Sequence, residues 1–205
     1  RTYALSKLES AMMPAIQVGL LVLVVTAPAF IFFSQKGPGA MHAPWLISLA
    51  AGLVVGGLSQ VSRLCTVGGF RDLFLFKKSI LIFGYLAVLI GVFVVNISFG
   101  NFHLGFENQP IAHTDGLWNF LGMALAGFCS VLLGGCPLRQ LIMTGEGNSD
   151  SAVTVLGLAA GAAFAHNFGL AATGAGPTLN GEIAVGVGFV VALIIAILNT
   201  KRVNA

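Results

Sequence analysis

Charged residues are scarce in this sequence: ten Lys and Arg with seven Asp and Glu make up 8% of 205 residues, where about a quarter is usual in a soluble domain. Against 57% hydrophobic residues, that leaves too little polar surface for a water-soluble globule, and the chain belongs in lipid. The basic residues do not gather into a patch, so the net charge of +3 carries no nucleic-acid partner. No CxxC or HxxxH spacing occurs, and the three cysteines stand far apart, which argues against a metal site. An odd cysteine count inside or at the ends of apolar segments does not suit a secreted disulfide framework either, so all three are read as thiols. The glycine-rich stretch Gly145-Glu146-Gly147-Asn148-Ser149-Asp150 lacks the lysine and the serine or threonine of a phosphate loop, and its expected role is to end one helix and cap the next through Ser149 or Asp150. No cofactor is expected. No acidic residue lies deep in an apolar run, which removes the obvious proton carrier. The first apolar run is too long for a signal peptide and has no convincing cleavage site, so it is read as a retained span. The sequence starts at Arg1 with no initiator Met, as a processed product or a piece of a longer chain would.

What is present is a succession of apolar runs, at about 14–33, 44–62, 79–99, 117–134, 151–173 and 182–199, each long enough or nearly so to cross a bilayer as a helix. The expected fold is therefore an all-α integral membrane protein with about six transmembrane helices, a single membrane domain over 1–205. Six crossings put both ends on one side. Arg1, Lys7, Arg63, Arg71, Lys77, Lys78, Arg139, Lys201 and Arg202 then share a face, with Lys36 opposite; the external side holds Glu107, Asp115 and Glu182. Basic loops stay inside, so both termini are expected in the cytoplasm, in a bacterial inner membrane.

Two connections, Arg63 to Lys78 and Gly134 to Asp150, mix glycines, a cysteine and an arginine with apolar residues such as Leu73, Phe74, Leu75 and Phe76. Short re-entrant helices fit that mixture, because broken backbone at membrane depth is tolerated only against protein or a water-filled cavity. The two segments are related. A displacement of 71 residues places Gly56 on Gly127, Ser59 on Ser130, Cys65 on Cys136, Phe93 on Phe164 and Asn96 on Asn167. This suggests a two-fold internal repeat around Cys65 and Cys136, with units at about 44–99 and 117–173, both entering the membrane in the same direction.

The chemistry concentrates at the breaks. Arg63, Cys65, Gly68 and Gly69 stand in the first, and Gly134, Gly135, Cys136 and Arg139 in the second. Glycine permits close backbone approach, Pro137 suits the first turn of a helix, and the freed amides of such a turn favour an anion. Arginine adds positive charge, and soft sulfur can contact sulfur or selenium in a solute. These residues are therefore the expected substrate-binding set, and the plain alternative is that both cysteines are small buried hydrophobes at tight helix packings. Cys129 lies roughly two helical turns, ~10 Å, before Cys136 and is either a further relay thiol or a packing residue. His166 and Asn167, beside Phe164 and Phe168, either bind the solute or join helices. Arg63, Arg71 and Arg139 also act as topology determinants.

At these residues the sequence resembles the YeeE/YedE family of sulfur-transport membrane proteins. Ser62-Arg63-Leu64-Cys65 through Phe70-Arg71-Asp72 is similar to its first cysteine motif. Gly134-Gly135-Cys136-Pro137-Leu138-Arg139-Gln140-Leu141, followed by Gly145 to Asp150, is similar to the YedE branch linked with selenium metabolism. The resemblance covers about 45–200 and mainly the C-terminal portion of that branch. It implies a helical fold with short re-entrant helices and a narrow path in which thiols pass thiosulfate or a related ion inward. Cys65 and Cys136 match the relay positions; Cys129 matches none clearly.

The expected function is transport of a small sulfur- or selenium-containing anion, without enzyme activity. The expected partners are that inorganic anion, the lipid bilayer and a cytoplasmic sulfur-carrier protein, with a homo-oligomer or a missing N-terminal half completing the path. Two alternatives remain open. One is a membrane thiol–disulfide oxidoreductase, against which the lack of a CxxC pair counts. The other is a non-transporting membrane subunit.

Overall fold

The computed structural model describes residues 7–26, 43–105 and 113–203. Arg1, Lys36, Glu107 and the end of the first expected span lie outside them. Eight helices run in chain order through the described residues: α1 (Lys7–Thr26), α2 (Trp45–Ser62), α3 (Thr66–Phe76), α4 (Ile80–Ser98), α5 (Gly116–Leu132), α6 (Pro137–Gly145), α7 (Ser149–Asn167) and α8 (Leu179–Val203). The protein is all-helical, as its apolar runs require.

Four stretches among the described residues are long and apolar enough to cross a membrane: Trp45–Phe76, Ile80–Ser98, Gly116–Gly145 and Leu179–Asn199. Their large side chains face outward, with Leu53 71% and Phe83 63% exposed, as lipid-facing residues are. The fifth expected run, 151–173, ends as a helix at Asn167, because Gly169 takes a left-handed φ of +63° that stops it. The apolar part of α1, Pro14–Leu23, is shorter than the other spans.

Both interrupted connections contain a short helix, and the interruptions share one local geometry. α2 ends where Arg63 adopts the left-handed conformation at φ 52°; α5 gives way, after Leu133, to Gly134 at φ +75°. In each case a cysteine follows two residues later, and the short helix begins directly after it. Around Gly134 the turn is closed by Gly134 N–H donating to Val131 O (3.1 Å) and Gly135 N–H to Ser130 O (3.1 Å), which satisfies carbonyls that the end of a helix leaves free. α3 is closed in turn by left-handed Lys77, with Lys78 N–H donating to Asp72 O (2.9 Å). The expected cap of α7 through Ser149 or Asp150 is instead made by Asn148, whose Oδ1 accepts from Ser151 N–H at 3.0 Å. Asn148 stands directly before the helix, where a short side chain can reach back to a first-turn amide.

The chain forms two compact units, one of residues 1–63 and 140–153, the other of residues 64–139 and 154–205. Within the second, α3 packs along α4, α5 along α8, and α3 touches α5. Gly69 is buried against α4, where a Cβ would make ordinary contact at 3.5 Å from Ile82 N. The Phe70 and Tyr85 rings add a tilted pair with centroids 6.3 Å apart. Gly188 is needed where α8 meets α5, since a Cβ there would stand 2.7 Å from a Leu125 methyl and force that side chain to move. These packings hold the start of α3 beside the end of α5, and so beside the second break.

Candidate functional site

Each cysteine of the expected pair caps a short helix. Cys65 has extended backbone (φ −151°, ψ 118°), and its Sγ accepts from Gly68 N–H at 3.3 Å. That amide belongs to the third residue of α3, one of the first-turn donors with no carbonyl a turn earlier to serve. Gly68 makes the approach possible: a Cβ there would stand 3.3 Å from Cys65 Cβ and 3.4 Å from Sγ. Cys136 stands directly before Pro137, the first residue of α6, and its sulfur takes the corresponding amide, that of Arg139. Proline fits there because its missing N–H would have had no helical partner.

The two caps meet. Thr66 and Cys65 lie beside the Cys136 sulfur, as does the Arg139 amide. Both cysteines are buried, Cys65 to 8% and Cys136 to 5% exposure, and both are free thiols. Gly68, Gly69 and Gly135 are buried around them, while Gly134 is exposed at the turn. Two sulfurs, a hydroxyl and the first turns of two helices thus converge in one place. That set suits an anion with a polarizable atom: amide and hydroxyl donors for its charge, sulfur for its soft end.

The other expected residues are distributed differently. Arg139 belongs to the first turn of α6 and is half-buried. Arg63 is exposed and marks the break two residues before Cys65. Arg71 pairs with its neighbour Asp72 at 2.8 Å. Cys129, half-buried on α5, lines an open apolar groove of about 1170 Å³ with Leu132, Phe164, Phe168, Val187 and Val191. His166 and Asn167 lie exposed in the last turn of α7, and Asn167 Nδ2 donates back to Ala163 O at 2.8 Å. No group of three or more His, Cys, Asp or Glu able to hold a metal occurs among the described residues.

Thr66 is the residue that the sequence reading passed over. It stands in the quoted motif next to Cys65, and the first position of a helix capped by a thiol was the available signal, since an amide there is free to point outward.

A family described as sulphur transport matches residues 61–201, which include both breaks and every residue placed around the cysteine pair. The chain belongs to the sulphur transport family. The thiosulfate transporter TsuA of Escherichia coli (strain K12) is 30% identical over 111 residues, a stretch that covers 52% of this chain and 30% of that relative. No solved structure matches the chain. With its apolar helices, membership makes this a multi-pass membrane protein.

Proposed function

We propose that this chain carries thiosulfate or a closely similar sulfur or selenium anion across a bacterial inner membrane, with both termini in the cytoplasm. The observation that carries the reading is the meeting of Cys65 and Cys136 at the first turns of α3 and α6. A dianion in a membrane needs its charge held by fixed dipoles, and the positive N-terminal ends of α3 and α6 supply them. Its outer sulfur needs a partner that is neither strongly hydrating nor charged, and two buried thiols meet that requirement. Arg63 and Arg139 add positive potential along the approach, and Gly68, Gly69, Gly134 and Gly135 let backbone come close to the ion. Cys129, His166 and Asn167 belong to the same path at other depths. Release inward then hands the ion to a cytoplasmic sulfur-carrier protein.

Membership of a sulphur transport family and the likeness to a thiosulfate transporter support the substrate class; the pair of thiols supports the mechanism. The chain acts here as a carrier, not as an enzyme with a net reaction. The test is uptake of radiolabelled thiosulfate by liposomes containing the purified chain. Cys65→Ala and Cys136→Ala should each reduce it by about tenfold or more, the effect of one lost contact to a charged group. Uptake equal to wild type in both variants would rule out a thiol role. Competition by selenosulfate then decides between a sulfur-only and a sulfur-or-selenium carrier.

The contact between the two thiols also favours a second reading, a dithiol that cycles with a disulfide. A mixed disulfide trapped between a Cys65→Ser chain and a partner protein would support that reading.

A further inference from the structure

Few side chains are buried among the described residues, and two of them are serines at matching places: Ser59, 5% exposed, and Ser130, 8%. Each stands four residues before the left-handed residue that follows its helix, and its carbonyl closes the turn. Ser59 O accepts from Arg63 N–H, and Ser130 O from Gly135 N–H at 3.1 Å. The second bond ties Ser130 to the residue directly before Cys136. The two turns are then filled differently. After Arg63 comes Leu64, whose methyl lies over Gly84 of α4, where a Cβ would stand 3.3 Å from it. After Gly134 comes Gly135, which has no side chain to put there. Helix ends of this kind commonly seat an apolar contact between the residues at the places of Ser130 and Gly135. Here one is a hydroxyl and the other bare backbone.

A buried serine on a membrane helix often serves as glue to a neighbouring helix. The Ser130 hydroxyl instead donates to Ala126 O of its own helix at 2.8 Å, a carbonyl that the helix ladder already supplies with an amide. That donor can turn to a ligand without orphaning a carbonyl. The end of α5 has need of it, because a helix C-terminus presents carbonyls, which repel an anion, and the Gly134 and Gly135 amides are engaged by Val131 O and Ser130 O.

We propose that the Ser130 hydroxyl binds an oxygen of thiosulfate while the ion's outer sulfur rests on the Cys136 thiol. This rests on thiosulfate as the solute and on Cys136 as its sulfur contact. The hydroxyl leaves Ala126 O and donates to the oxyanion end, and it returns to Ala126 O when the ion moves on. Recognition at both ends favours an ion that has a soft sulfur and charged oxygens together. Sulfate lacks the first and hydrosulfide the second.

The test is made on the purified full chain in two ways: uptake of radiolabelled thiosulfate by liposomes, and maleimide labelling of Cys136 in detergent, read by peptide mass, at rising thiosulfate. Ser130→Ala keeps the carbonyl that closes the turn and removes the hydroxyl. It should raise both the half-saturating concentration for uptake and the concentration that half-protects Cys136 by about tenfold, and Ser130→Thr should bring both back to within about twofold of wild type. Without thiosulfate, Cys136 should label at the wild-type rate in Ser130→Ala, since the turn is held by backbone. Faster labelling there would mean that the hydroxyl holds the break and not the ion, which overturns the proposal. Uptake by Ser130→Ala with the wild-type half-saturation also overturns it and leaves the transport reading standing. Absence of uptake by the wild type, with protection still weakened in Ser130→Ala, removes the transport reading and supports the contact. Should the Ala chain fail to reach the membrane, Ser130→Cys, of nearly the same shape and a weaker donor, decides by uptake alone: half-saturation should rise, and the wild-type value overturns the proposal.

Discussion

Arg63 and Gly134 occupy matching places before the two cysteines, and they meet the same backbone demand with different side chains. Both are left-handed, at φ 52° and +75°. Glycine takes that conformation freely, whereas a side chain costs about 1–2 kcal/mol there. Gly134→Ala should therefore destabilise the folded protein by about 1–2 kcal/mol, and Arg63→Gly should relieve strain of about 1 kcal/mol; thermal unfolding in detergent measures both. An arginine at a strained position fits its proposed place on the ion's approach and on the cytoplasmic side. Gly68 answers a different demand. Its φ is ordinary, but a Cβ would press on Cys65, so Gly68→Val should displace the thiol from its cap and speed its labelling by a small polar maleimide. In the native protein Cys65 and Cys136, at 8% and 5% exposure, should label slowly, and thiosulfate should slow them further. A thiosulfate-insensitive rate would count against binding at the pair.

At the scale of helices, α3 and α6 are the elements that make this more than a bundle of spans. Eleven and nine residues long, they are too short to cross, and each begins at a cysteine. Their existence could be read from the sequence, because Gly68-Gly69, Gly134-Gly135 and Pro137 interrupt otherwise apolar runs and a helix break is a local event. The end of α7 was not read correctly. Its Ala- and Gly-rich run looks continuous to residue 173, yet Gly169 turns left-handed; Thr178 then donates to Gly169 O (2.8 Å) and Asn180 to Phe168 O (3.1 Å), binding the turn to the start of α8. Those partners lie nine and twelve residues away, beyond what local pattern shows. The close seating of α3 on α4 at Gly69 yields a sharper expectation. Gly69→Leu should push α3 off Leu81 and Ile82, carry Thr66 away from Cys136, and abolish uptake while the protein still reaches the membrane. Uptake at the wild-type rate would show that the thiol pair does not depend on this packing.

Over the whole molecule, scarcity of charge and the alternation of apolar runs with basic connections determine a helical membrane protein, and predict which ends face inward. The orientation has a direct check: Lys77→Cys, placed at the exposed end of α3, should react with an impermeant maleimide from the cytoplasmic face alone, in vesicles of known sidedness. Reaction from the outside would invert the topology and with it the direction of the proposed path. The helical membrane class follows from composition and periodicity because partition into lipid is a sum over residues, and helix breaks are fixed by neighbours in sequence. Which residues the two breaks bring together is of another kind. Cys65 and Cys136 are separated by α3, α4 and α5, and nothing local says that the first turn of α3 lies beside Cys136. Only the packing of α3 against α4 and α5 decides it, since a contact between distant residues depends on how whole helices seat on one another.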